Sequence, residues 1–188
     1  MAKPVLQVII GSTRPGRVGP AVADWIVGRA REHGEFEVEV TDLKALDLPI
    51  FDEPNHPRLR RYVHKHTKDW SAIVDRSDAF VFVTPEYNHA FTAATKNALD
   101  YLSQEWRNKP AGIVSYGGAS GGARAAAMLA QVLGALQMVT VADAVAIPAI
   151  RERFDDQGRF RPDPDSRRAA AAMLAGLARA AEATRAAA

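Results

Sequence analysis

A chain of 188 residues with 47% hydrophobic and 24% charged side chains has ordinary globular composition and the length of one domain. Its 24 basic and 22 acidic side chains leave a formal charge of +2, too even a balance for the concentrated basic face of a nucleic-acid binder. With no cysteine, disulfides, thiolate nucleophiles and zinc–cysteine sites are excluded, and a reducing cytoplasm is the expected setting.

The first element, "VLQVII", is short, apolar and rich in β-branched residues, as in a strand buried on both faces. It is too short for a secretion signal or a membrane span, so neither a leader nor a membrane partner is expected. From Gly19 to about His33, the apolar residues Val22, Ala23, Ile26, Val27 and Ala30 recur at helical spacing. "FEVEV" alternates and predicts a strand with one wetter face. "DLPIFDEPNHP" carries three prolines and no period, which predicts a loop. Pro57 suits the first turn of a helix. From there Leu59, Val63, His66, Trp70 and Ile73 step by four and three, predicting one core-facing helical stripe.

"AFVFVT" is a second wholly apolar strand, "TAATKNALDYLSQEW" a helix, "PAGIVSY" a third buried strand and "RAAAMLAQVLGALQM" a further helix. "VTVADAVAIP" predicts one last strand, and "ERFDDQGRFRPDPDS" a polar loop with a hairpin-like tip. The alanine-rich tail is expected to be helical. This alternation predicts a parallel sheet covered by helices on both faces. Five strands in this length favour an α/β, flavodoxin-like three-layer sandwich with strand order 2-1-3-4-5, as a single domain over residues 1–188.

In such sheets ligands bind beyond the carboxyl ends of the strands, at the point where strand order reverses. Strands one, three and four would be neighbours, and only their loops carry chemistry. The first is "GSTRPGRVG". Against the nucleotide-binding pattern G-x-x-x-x-G-K-[ST] it keeps Gly11 and Gly16, but has Arg17 for the lysine and Val18 for the magnesium-binding hydroxyl. A nucleoside triphosphatase is therefore disfavoured. What remains is an anion cradle: Gly11, Gly16 and Gly19 expose amides, Ser12 and Thr13 add hydroxyls, Arg14 and Arg17 add charge, and a helix starts just after. By itself the loop also fits a glycine-rich turn with two solvated arginines.

The second loop, "PEYN", offers the rigid Pro85, the carboxylate of Glu86, the aromatic Tyr87 and the amide Asn88, a set suited to a flat polar heterocycle and also to an ordinary turn. The third, "SYGGASGG", has four glycines before a helix and allows close approach of backbone to a ligand, or a flexible connection. Of the five histidines, His64 and His66 stand two apart on an expected helix and so should not face each other, and His33, His56 and His89 are isolated. No metal site is expected, His66 is expected to pack, and Trp25, Trp70 and Trp106 are expected in the core or at a subunit interface.

At these residues the chain resembles the NADPH-dependent FMN reductases, a flavodoxin-like family of quinone, azo-dye and chromate reductases. The likeness runs through "VIIGSTRPGR", "LPIFDEP", "VTPEYNHAFTAATKNALDYL" and "SYGGASGGARAAAML". The resemblance implies that Ser12, Arg14, Arg17, Val18 and Gly19 hold the FMN phosphate. It further implies that Pro85, Glu86, Tyr87 and Asn88 touch the ribityl chain and flavin ring, and that Ser115, Gly117 and Gly118 lie along the ring's other edge. It implies NADPH or NADH as electron donor, a small-molecule acceptor and a homodimer or homotetramer. The chain departs from the family where Gly16-Arg17-Val18-Gly19 lacks the usual serine, and where His89 to Ala93 replaces a small residue, serine and proline; both departures alter the expected phosphate and substrate contacts. Hydride transfer to flavin N5 requires no side-chain nucleophile, so no catalytic acid or base is assigned. The alternative is a flavodoxin-like electron carrier or flavin sensor without turnover; carriers are typically acidic, unlike this chain.

Overall fold

The computed structural model describes residues 2–186. Four strands form the body of one parallel sheet: β1 (Val5–Ile10), β2 (Glu37–Asp42), β3 (Ala79–Pro85) and β4 (Pro110–Tyr116). The fifth position is shared by two short strands, β5 (Val139–Thr140) and β6 (Val145–Ile147), both parallel to β4. The order is β2-β1-β3-β4-β5, with β6 also on β4, which is the flavodoxin-like arrangement. The helices are α1 (Gly19–His33), α2 (Leu43–Leu46), α3 (Lys65–Arg76), α4 (Ala93–Asp100), α5 (Ala123–Ala135) and α6 (Pro164–Ala186). The tail helix matches the sequence expectation up to Ala186; its last two positions lie outside the described residues.

Strand alternation divides the core into two. On one face Leu6, Val8, Ile10, Val81 and Val83 meet Val22 and Ile26 of α1 and Met173 and Leu177 of α6. On the other Ile9, Phe80 and Phe82 meet Trp70 of α3, Leu99 of α4, Leu129 of α5 and Trp106. Trp70 and Trp106 are fully buried, whereas Trp25 is only partly so and tilts against Phe160. Gly112 permits the close seating of α6, since a Cβ there would lie 2.7 Å from Met173 Sδ.

Five expectations are corrected. The last strand is broken: Ala111 faces Thr140 but Val114 faces Val145, so the edge carries two extra residues that bend out of the ladder. The helix expected from Pro57 begins only at Lys65. Residues 57–59 make a single 3₁₀ turn that ends at Arg60 in a left-handed conformation (φ 51°), and Leu59 and Val63 are exposed. The chain is held off helix here because Glu53 accepts the amides of Val63 (2.8 Å) and His64 (3.0 Å). The face of α3 that is buried carries Thr67, Trp70, Ser71 and Val74, one step round from the expected stripe. His66 is therefore half-exposed, bonded to Asp52 at 3.0 Å. Finally, His64 is the extended N-cap of α3 (φ −82°, ψ 144°) rather than a helical residue. The two histidine rings consequently do face each other, stacked with centroids 5.2 Å apart. The helix expected over 92–106 is also divided: α4 ends at Asp100 and a 3₁₀ turn covers Gln104–Trp106.

Candidate active site

The carboxyl ends of β1, β3 and β4 are adjacent in the sheet, and their loops enclose a cleft of about 300 Å³. Gly11 fixes the first loop, donating its amide to Val83 O (2.9 Å) while its carbonyl accepts from Thr92 Oγ1 (2.7 Å). The loop runs into α1, whose N-cap Val18 supplies no side-chain cap and whose first turn has no acidic residue. The start of a 15-residue helix is thus left with free amides and an uncompensated dipole, both favourable to an anion.

The two loop arginines have different surroundings. Arg17 lays its fork on the carboxylate of Asp42, at the end of β2, with Nη1 2.6 Å from Oδ1, and donates also to Ser12 O. This hydrogen bond holds the Asp42 carboxyl below its ordinary range and raises the Arg17 guanidinium. Arg14 is exposed on the cleft and has no ion-pair partner among the described residues. Beneath the loop, the buried hydroxyls of Ser12 and Tyr116 lie against each other without a well-formed hydrogen bond, and neither has another partner among the described residues. They converge on Gly19, where an added Cβ would stand 2.2 Å from the first and 2.8 Å from the second. Burial pushes the Tyr116 hydroxyl up to about 12.

In the second loop, Tyr87 and Ala90 exchange both backbone hydrogen bonds at 2.9 Å around Asn88 (φ 50°) and His89 (φ 69°). Positive φ at both central positions is the two-residue turn that matches strand twist. Tyr87 lies on the cleft, while Asn88 and His89 are exposed at the turn's tip, away from the cleft lining. The Glu86 carboxylate turns to the start of α5, accepting from the amides of Arg124 (3.1 Å) and Ala125 (3.4 Å) and from Arg124 Nη1 (3.1 Å). Desolvation works to raise it, but these bonds together hold it below the usual carboxylate range. Glu86 therefore ties the second loop to the third.

In the third loop, Ser115 donates to Gly121 O (2.9 Å) and Gly118 O accepts from Gly121 and Ala149. These bonds shape the loop, and of the three residues expected here only Gly117 lines the cleft. Gly122 (φ 83°) allows the turn to close, since a Cβ there would lie 2.8 Å from Tyr116 N. Three lining residues escaped the sequence reading: Tyr116, Ile150 and Arg151. The last two follow β6, a connection expected to carry nothing; because β6 pairs with the carboxyl half of β4, its loop opens on the same cleft.

A model of the NADPH-dependent FMN reductase family matches residues 5–152. The chain belongs to that family. With membership come its enzyme class, an NAD(P)H-dependent reductase, and its cofactor, FMN. The chain is 40% identical over 153 residues to an NAD(P)H-dependent FMN reductase of Schizosaccharomyces pombe, covering 80% of this chain and 76% of the relative. It is 34% identical over 122 residues to an NADPH azoreductase of a Bacillus species, covering 64% and 63%. In fold it is similar to the NAD(P)H:acceptor oxidoreductase FerB of Paracoccus denitrificans, with a TM-score of 0.73, 21% identity, and coverage of 96% and 98%.

The residues present fit FMN. A phosphate at the capless start of α1 would meet Arg14 and the loop amides, beside the two buried hydroxyls that occupy the place of a side chain at Gly19. Among the described residues no three His, Cys, Asp or Glu side chains are grouped to hold a metal, and no helix is long and apolar enough to cross a membrane.

Proposed function

We propose that the cleft seats FMN with its phosphate on the first loop, and that the enzyme passes reducing equivalents from NAD(P)H to a small-molecule acceptor of the quinone, free flavin, azo or metal-oxyanion type. FMN, when bound, would supply the redox chemistry, two-electron transfer between the nicotinamide and the acceptor. The chain's own part is binding and shape. Ser12, Arg14 and the amides from Val18 and Gly19 would hold the phosphate, and Arg17, braced on Asp42, keeps the loop in form. Pro85, Glu86 and Tyr87 on one side, and Gly117 on the other, would bound the ring. The observation that carries this reading is the concentration of unmet hydrogen-bonding groups at one end of the cleft: two buried hydroxyls beside an uncapped helix start.

The test is spectroscopic. Purified protein, loaded with FMN, is expected to be yellow and to bleach on anaerobic addition of NADPH or NADH. A protein that FMN cannot colour sinks the site. One that colours but does not bleach is a carrier or sensor.

We further propose a cytoplasmic homodimer or homotetramer. Ile50 is 89% exposed, and Phe51, Leu59 and Val63 on the same segment are also exposed. Ile50→Asp with Val63→Asp is expected to convert a dimer to a 20.4-kDa monomer by light scattering. A wild type that is already monomeric at micromolar concentration rejects the assembly.

A further inference from the structure

The connection after β6 is stitched to the third loop: Ala149 donates to Gly118 O (2.9 Å) and Ile150 to Gly117 O (3.0 Å). Ala149 takes a left-handed φ of 48°, and the chain then makes a short 3₁₀ turn over Ile150–Arg153. Ile150 and Arg151 are thereby fastened to the cleft wall. The neighbouring arginines are occupied. Arg153 bonds Pro148 O and faces Asp163 at 3.6 Å, and Arg159 and Arg161 share Asp155. Arg151 is exposed and has no ion pair or side-chain hydrogen bond among the described residues.

The charges lining the cleft can be assigned one by one. Glu86 is matched by Arg124, and Arg17 by Asp42. Arg14 and Arg151 are left over. They belong to different walls, because Arg14 follows β1, Arg151 follows β6 beyond β4, and β3 lies between β1 and β4 in the sheet. FMN brings one phosphate, which the first loop satisfies with Arg14, Ser12 and the amides of α1. Arg151 then has no anion from the cofactor. Of the other reactants, the electron donor brings phosphates to this cleft in every turnover, whereas an acceptor brings one only when it is a phosphorylated flavin.

We propose that Arg151 is a specificity-determining residue that takes a phosphate of the incoming nicotinamide dinucleotide. The proposal rests on the FMN reading above. A guanidinium fork suits a phosphate because two parallel N–H groups match two oxygens. The phosphate is either the pyrophosphate, common to both donors, or the 2′-phosphate, which only NADPH carries.

The test uses FMN-loaded wild type, Arg151→Ala, Arg151→Lys and, as a control of equal charge at the far end of α1, Arg31→Ala. In Arg151→Ala the donor KM is expected to rise about tenfold or more with kcat and FMN affinity unchanged, and Arg151→Lys to recover part of the loss. A rise for NADPH alone assigns the 2′-phosphate; a rise for NADPH and NADH assigns the pyrophosphate. Calorimetric titration of the oxidised holoenzyme with adenosine 2′,5′-bisphosphate and with ADP gives a readout independent of turnover. At least one is expected to bind about tenfold more weakly to Arg151→Ala. If KM and both titrations match the Arg31→Ala control, the assignment is wrong. It is equally wrong if Arg151→Ala releases FMN, since the arginine would then serve the cofactor. A wild type that FMN does not load, or that neither donor bleaches, overturns the underlying reading and the assignment together.

Discussion

Gly19→Ala is expected to weaken FMN binding by about a hundredfold and to lower the melting temperature by several degrees, at ~1–3 kcal/mol for overpacking. Helix propensity alone points the other way, since alanine in a helix is favoured over glycine by about 1 kcal/mol. Sterics decide because the neighbours cannot retreat. The new methyl would stand 2.2 Å from Ser12 Oγ, 2.8 Å from Tyr116 OH and 3.4 Å from Ile10 Cγ2. Ser12 is short and buried on a loop pinned by Gly11, and Tyr116 is buried in the same core cluster as Val22, Ala23 and Ile26. If Ser12 turns away, the hydroxyl assigned to the phosphate leaves with it. Gly28→Ala in the same helix isolates the effect, because nothing lies within 4 Å of its Cβ. That variant should be neutral or slightly stabilising. Flavin fluorescence titration and calorimetry of the pair are the measurements. Equal behaviour of the two variants would mean that position 19 forms no cradle.

The parts that were legible in the sequence are those that local pattern determines. The uninterrupted apolar runs "VLQVII" and "AFVFVT" mark strands buried on both faces, and Gly19 to His33 is helical where the stripe ends and Gly34 turns left-handed. What was not legible depends on distant partners. Nothing near Pro57 announces that Glu53 will take the amides that a helix from that point would need for its own bonds, or that Glu105 will accept from Tyr62 OH at 2.7 Å. The stacking of His64 on His66 follows from a capping position one residue before a helix start that pattern put earlier. At the site, the motifs located the three loops but not the direction of their charged side chains. Glu86 and Arg17 lie in the motifs that resemble flavin contacts, yet each is matched by a residue 38 or 25 positions away. Arg151 was missed because the edge strand breaks, and a two-residue offset in pairing has no signature in "VTVADAVAIP".

The division of labour between the two loop arginines leads to opposite expectations for them. Arg14 faces the cleft with no ion-pair partner among the described residues, so Arg14→Ala should lower FMN affinity by about 10- to 100-fold, the loss of one charge-assisted hydrogen bond, and leave the melting temperature nearly unchanged. Arg17 holds Asp42 and the Ser12 carbonyl, so Arg17→Ala should lower both affinity and melting temperature, at ~1–3 kcal/mol for the lost pair. Asp42→Asn should reproduce most of the Arg17→Ala effect, and the double variant should cost little more than either alone. Additive losses would show that Arg17 reaches the phosphate independently of Asp42. Acid provides a second readout. Arg17 depresses the carboxyl of Asp42, so the clamp contributes fully above the unfolded value of 3.8 and is lost as pH falls through the lower folded value. Wild-type FMN retention should therefore show an acid step below about pH 4 that Asp42→Asn removes, with affinity already reduced at neutral pH. A step that persists unchanged in the variant would assign the acid release to another group and detach Asp42 from the loop that Arg17 shapes.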